Sequence, residues 1–103
     1  MTARLEQLRK LLEKSPSDAF LLYATALELK KAGDSRGALD HLAKTLAVDA
    51  DYMYAYYQQG QILKSIGDPA AAIIAYDIGV SRAQKKGDQK ALGELRGARD
   101  MLE

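Results

Sequence analysis

Cysteine and tryptophan are absent from this 103-residue chain. Without cysteine there is no disulfide framework and no thiolate metal site, and thiol chemistry says nothing about the compartment. No apolar run approaches membrane-spanning length, and the opening Met1-Thr2-Ala3-Arg4-Leu5-Glu6 has no apolar core of a leader. A cytoplasmic protein with no membrane partner is the expectation. Charge of either sign is not in excess: 15 basic residues face 14 acidic ones. They also balance locally, with 8 basic and 7 acidic residues in positions 1–50 and 7 of each thereafter. A polyelectrolyte partner such as nucleic acid or an anionic membrane is therefore not expected. Proline is confined to Pro16 and Pro69, and no alternating strand pattern occurs.

What is present is a repeat. A Gly-Asp pair stands at Gly33-Asp34 and again at Gly67-Asp68, 34 residues later, and Ala38-Leu39 is matched at the same offset by Ala72-Ile73. A period of this length indicates one two-helix unit used twice, because neither copy buries its apolar face alone. Ala19, Leu22, Ala26 and Leu29 have helical spacing, and Gly33 suits a left-handed cap behind them. Asp34 is placed to cap the next helix, which carries Leu39, Leu42 and Leu46 with Ala38 and Ala43 beside them. In the second unit Asp51 is expected to cap a helix bearing Tyr56, Gly60 and Leu63, closed by Gly67. Asp68 caps the next, with Pro69 in its first turn, and Ile73, Tyr76 and Val80 fall 34 residues after Leu39, Leu42 and Leu46.

The period extends backwards to Leu5, Leu8 and Leu12, so the N-terminal helix reads as the second half of a unit whose first half is absent. Gly87-Asp88 follows Gly67-Asp68 by only 20 residues and breaks the period. The segment behind it, with Leu92, Leu95, Ala98 and Leu102 on one face, reads as a capping helix. The terminal Leu102-Glu103 reads equally well as native or as the start of a trimmed tag.

These units resemble tetratricopeptide repeats, whose pattern is a large residue–x2–L–G–x2–Y, then A–x3–F, then P. The first copy reads Leu22-x2-Thr25-Ala26-x2-Leu29, Ala38-x3-Leu42 and Ala50; the second reads Tyr56-x2-Gln59-Gly60-x2-Leu63, Ala72-x3-Tyr76 and Gln84. Thr25 and Gln59 replace leucine, and Ala50 and Gln84 replace proline. The resemblance implies an all-α, antiparallel helix-turn-helix array, stacked as a short right-handed α-solenoid of about six helices. One domain, 1–103, would contain a half repeat (2–17), two repeats (19–52 and 53–86) and a capping helix (87–103).

It also implies a non-catalytic module that binds a peptide or helix of a partner protein in a concave groove lined by the first helices. Helical geometry offers the lining independently. If Leu22, Ala26 and Leu29 point inward, the neighbouring stripe is Phe20, Tyr23, Leu27 and Lys30; its counterpart is Tyr54, Tyr57, Gln61 and Lys64. Tyrosine, a rigid apolar ring with a polar tip, suits such a surface. Tyr23 and Leu27 stand where lysine and asparagine would begin a carboxylate clamp, so recognition of a chaperone tail is not expected. The competing expectation is a homodimer pairing through the open N-terminal edge, near Phe20 and Leu27.

Nothing converges as a catalytic, cofactor or metal site. The single histidine, His41, lies beside the Leu39/Leu42 stripe, and adjacent Asp40 points elsewhere on the helix. Gly93 and Gly97 sit four residues apart on the last helix, where charged Arg96, Arg99 and Asp100 exclude a membrane setting. Close packing or a locally weak helix is the expectation there, each glycine costing about 1 kcal/mol of helix propensity relative to alanine.

Overall fold

The computed structural model describes residues 2–102; Met1 and Glu103, the outer ends of the segments read above, lie outside the described residues. Six helices follow one another: α1 (Ala3–Lys14), α2 (Ala19–Lys31), α3 (Ser35–Val48), α4 (Met53–Ser65), α5 (Pro69–Lys86) and α6 (Gln89–Asp100). No strand occurs among the described residues. The chain divides into two compact units, Met1–Ala50 with α1 to α3 and Asp51–Glu103 with α4 to α6.

The same turn joins helices in both units. After α2, the Gly33 N–H donates to the Lys30 carbonyl and the Asp34 N–H to the Leu29 carbonyl, at 3.0 and 2.9 Å. After α4, Gly67 and Asp68 repeat this with Lys64 and Leu63, and after α5, Gly87 and Asp88 do so with Gln84 and Ala83. This is the Schellman arrangement, which satisfies carbonyls that a helix end leaves free. It needs a left-handed residue, and the three glycines supply it at φ +85°, +87° and +71°. Each following aspartate then opens the next helix. Asp34, Asp68 and Asp88 accept from the N–H groups of Gly37, Ala71 and Ala91 at 2.9, 3.1 and 3.1 Å. Gly87-Asp88 breaks the sequence period yet builds the identical turn, because α5 runs to 18 residues where α3 has 14.

Unit 1 closes over Leu5 and Leu8 of α1, Leu22, Ala26 and Leu29 of α2, and Ala38 and Leu42 of α3. Thr25 and Thr45 are also buried, and their hydroxyls donate to the Leu21 and His41 carbonyls one turn back, at 2.7 and 2.8 Å. Thr25 thus fills the leucine position of the repeat without an unpaired polar atom. On α3 the buried line is Ala38, Leu42 and Thr45, whereas Leu39 and Leu46 are only half-buried and Ala43 is exposed. The stripe proposed from sequence is rotated: the small Ala38 is fully buried and the larger Leu39 and Leu46 flank the buried line.

Unit 2 is built around Tyr76. The ring is fully buried on α5, and a Cβ added at Gly60 of α4 would overlap it. Gly79, three residues further along α5, also makes room: a Cβ there would stand 2.8 Å from the Tyr56 Cβ and 2.9 Å from Leu95 Cδ2. Asp51 does not cap α4. Tyr52 occupies the cap position with no side-chain bond to the opening N–H groups, and Asp51, one residue earlier, pairs with Arg82 at 3.3 Å and Lys86 at 3.6 Å. These ties hold the start of α4 to the end of α5. Arg99 and Asp77, at 2.8 Å, tie α6 to α5.

The glycines make opposite predictions. Gly60→Ala gains helix propensity but forces the Tyr76 ring aside, and overpacking of this kind costs about 1–3 kcal/mol. Gly93→Ala meets nothing within 4 Å and should stabilise by up to about 1 kcal/mol. Urea unfolding of both variants should give shifts of opposite sign. Asp68→Ala should destabilise by about 1 kcal/mol and speed exchange of the Ala71 amide, read by hydrogen exchange.

Candidate functional site

A cleft of about 300 Å³ opens in unit 2 between α4 and α6, with Tyr76 of α5 at its base. From α4 come Tyr57, Gln61 and Lys64, spaced to share one helical face. From α6 come Gly93, Glu94, Gly97 and Ala98, with Met101 at the helix end. The two walls are fixed by what has already been described. Gly60 lets α4 close on Tyr76, and buried Ala91 and Leu95 seat the opposite face of α6.

Chemically the walls differ. The α4 side offers the Tyr57 hydroxyl, the Gln61 amide and the Lys64 ammonium, all able to donate. The α6 side is short side chains and backbone, with Glu94 as its carboxylate. The Tyr54 hydroxyl, reaching from α4, donates to Glu94 Oε1 at 3.3 Å, which joins the walls at one end. Tyr57 and Tyr76 stand with ring centres 6.1 Å apart and planes inclined at 54°, a favourable tilted aromatic pairing. Burial raises the Tyr76 phenol above its ordinary pKa; the nearby Tyr57 adds to this and a polar contact with Gln61 opposes it. The Tyr76 phenol is therefore neutral at physiological pH.

All eight residues expected on the contact stripes avoid burial. Tyr57, Gln61 and Lys64 meet in the cleft, and Tyr54 reaches its margin through Glu94. Phe20, Tyr23, Leu27 and Lys30 lie on α2 in unit 1, where Phe20 is 62% exposed, Lys30 is exposed, and Tyr23 and Leu27 are half-buried. The cleft also uses residues that the stripes did not include: Tyr76, read from sequence as core, and the α6 wall. The spacing of Gly93 and Gly97 was the available signal for that wall. They are not close-packed, since a Cβ at either would meet nothing within 4 Å. Their missing side chains leave open space on the cleft.

His41 is half-buried on α3, with Nδ1 3.0 Å from the Gly37 carbonyl. Among the described residues no cluster of three histidine, cysteine or acidic side chains is placed to hold a metal ion. No helix among them is long and apolar enough to cross a membrane.

A scan against models of known protein families gives no match. Individual proteins do match. Over 91 residues the chain is 30% identical to a TPR repeat-containing protein of Pseudomonas aeruginosa, covering 88% of this chain and 87% of that one. The crystal structure of a tetratricopeptide repeat domain protein from Salinibacter ruber superposes with a TM-score of 0.76 at 32% identity, over 82% of this chain and 94% of that one. The solution structure of a Bordetella parapertussis protein superposes with a TM-score of 0.85 at 29% identity, over 99% of this chain and 89% of that one. With a 34-residue helical-hairpin period, Gly-Asp turns and these relatives, the chain belongs to the tetratricopeptide repeat family and has its all-α solenoid fold.

Proposed function

We propose that this chain is a non-catalytic, cytoplasmic protein-interaction module that binds a peptide or helix of a partner protein, with the α4–α6 cleft as its contact site. The observation that carries the reading is the convergence of Tyr57, Gln61 and Lys64 on one open cleft whose base is an aromatic side chain. Recognition surfaces favour this combination of rigid rings, adaptable amide and exposed charge. The even balance of 15 basic and 14 acidic residues supports a protein ligand over a nucleic acid.

Lys64 is exposed, so its replacement leaves the core intact. Affinity capture from lysate with wild-type, Lys64→Glu and Tyr57→Ser baits tests the site, once all three are shown to be equally helical. A partner retained by wild type and lost from both variants is the expected result. Equal capture by all three baits would place the contact surface elsewhere.

Self-association is the second reading, favoured by the exposure of Phe20 at 62% and Leu11 at 49% on neighbouring helices of unit 1. A dimer formed through this edge should become monomeric on Phe20→Glu, as read by light scattering. A wild-type mass that stays monomeric at millimolar concentration would dismiss it.

A further inference from the structure

We infer that α5 carries a self-pairing face: two copies of the chain join through Ile74 and Ile78, antiparallel about a two-fold axis. The pairing does not depend on what the α4–α6 cleft binds, and it uses a different face from the Phe20 edge of unit 1.

The repeat supplies its own comparison. Glu6 and Lys10 of α1, Asp40 and Lys44 of α3, and Ile74 and Ile78 of α5 occupy the same two positions in successive periods. All six residues are exposed. In α1 and α3 an acid is followed four residues later by a base, and Asp40 and Lys44 stand 3.2 Å apart. In α5 the two positions hold isoleucine, 62% and 46% exposed. One turn earlier, exposed Arg36 of α3 gives way to exposed Ala70 of α5. The fold makes no demand for apolar side chains here, since its other copies are charged. Isolated exposed apolar residues are ordinary, but an adjacent pair that replaces an ion pair forms a face whose burial is favourable.

Ala70, Ile74, Ile78, Ser81 and Lys85 lie along this exposed face of the 18-residue helix. Asp77, beside them, is tied to Arg99 at 2.8 Å. Tyr76 lies about 200° around the helix from Ile74, so the face and the cleft open on opposite sides of α5. A dimer formed here carries two open clefts, and any segment they bind is bound bivalently.

The ends of the face identify what covers it. At one end is Asp68, exposed, with one carboxylate oxygen accepting from the Ala71 N–H. At the other is Lys85, exposed and in no ion pair among the described residues. When two such helices pack antiparallel about an axis midway between Ile74 and Ile78, each Ile74 meets Ile78 of the second copy. The same register brings each Lys85 to Gly67-Asp68 of the second copy, so two ion pairs form together by symmetry. Lys85 then also faces the positive end of the opposing helix dipole through a carboxylate, while the two dipoles run antiparallel. A parallel pair would set Lys85 against Lys85 and Asp68 against Asp68. The face is thus complementary to itself in one orientation.

Sedimentation equilibrium of the full chain between about 10 μM and about 1 mM tests the pairing. A contact of one helix from each copy belongs to the small interfaces, below about 1,200 Å², so wild type should dimerise with a Kd on the order of 100 μM. Ile74→Asp/Ile78→Lys, which gives α5 the ion pair of α3, should remain monomeric with helicity and Tm preserved. Phe20→Glu should dimerise as wild type does. Lys85→Gln should weaken the dimer about threefold. On dilution of isotopically labelled wild type, amide signals within 70–85 should shift and those of Tyr57, Gln61 and Lys64 should stay in place.

A wild type still monomeric at about 1 mM would overturn the pairing and leave the face to a helix of another protein. Dimerisation that survives Ile74→Asp/Ile78→Lys, or that Phe20→Glu abolishes, would overturn it in favour of another surface. Equal or tighter pairing of Lys85→Gln would overturn the antiparallel register.

Discussion

The fold depends on a turn in which one glycine and one aspartate end a helix and begin another. The left-handed glycine lets two N–H groups satisfy carbonyls of the finished helix, and the aspartate side chain satisfies an N–H of the helix that follows. Because one residue pair serves both ends, consecutive helices are forced back alongside each other with no loop to spare. That close return is what allows alanine and glycine positions such as Ala38, Ala72 and Gly60 to become contact points between helices. Side-chain packing then settles the rest within each unit.

Unit 2 shows how a packing solution shapes a surface cleft. Tyr76 belongs to the core by exposure, yet its ring borders the cleft, held there by the space that Gly60 leaves on α4. The neighbouring helix α6 is seated by Ala91 and Leu95 on one side and presents Gly93 and Gly97 on the other. The same residue type thus has two physical meanings in one unit. At positions 60 and 79, glycine makes room for the protein's own side chains; at positions 93 and 97, it leaves room that the protein does not use. This separation of stability from surface shape fits a module whose chemistry is recognition. Proteins of this fold serve many partners by altering the exposed residues on a constant frame.

The α4 wall of the cleft was legible in advance because helical spacing fixes which residues share a face. That spacing places Tyr57, Gln61 and Lys64 beside an inward stripe of Tyr56, Gly60 and Leu63; Tyr56 and Gly60 are buried as expected, whereas Ile62 takes the core position and Leu63 is half-buried. The α6 wall was not legible: the stripe of Leu92, Leu95, Ala98 and Leu102 is expected to pack as one face, but Ala91 and Leu95 are the buried residues and Ala98 lines the cleft, a rotation that depends on fit against α5. Asp51 shows a related failure. Its residue type and its place before a helix suit a cap, but a cap must stand at one exact position, and two cations from α5 hold it instead.

By itself, the sequence determined the helix count, the 34-residue period, the turns at Gly33, Gly67 and Gly87, and the family, because these rest on local backbone preferences and on spacing along a single helix. Tertiary structure alone decided that α3 turns Ala38 inward ahead of Leu39, that Gly60 receives the Tyr76 ring, and that Gly93 and Gly97 face open space. Those outcomes depend on the shapes of side chains brought together from different helices, and a linear pattern carries no measure of how such shapes fit.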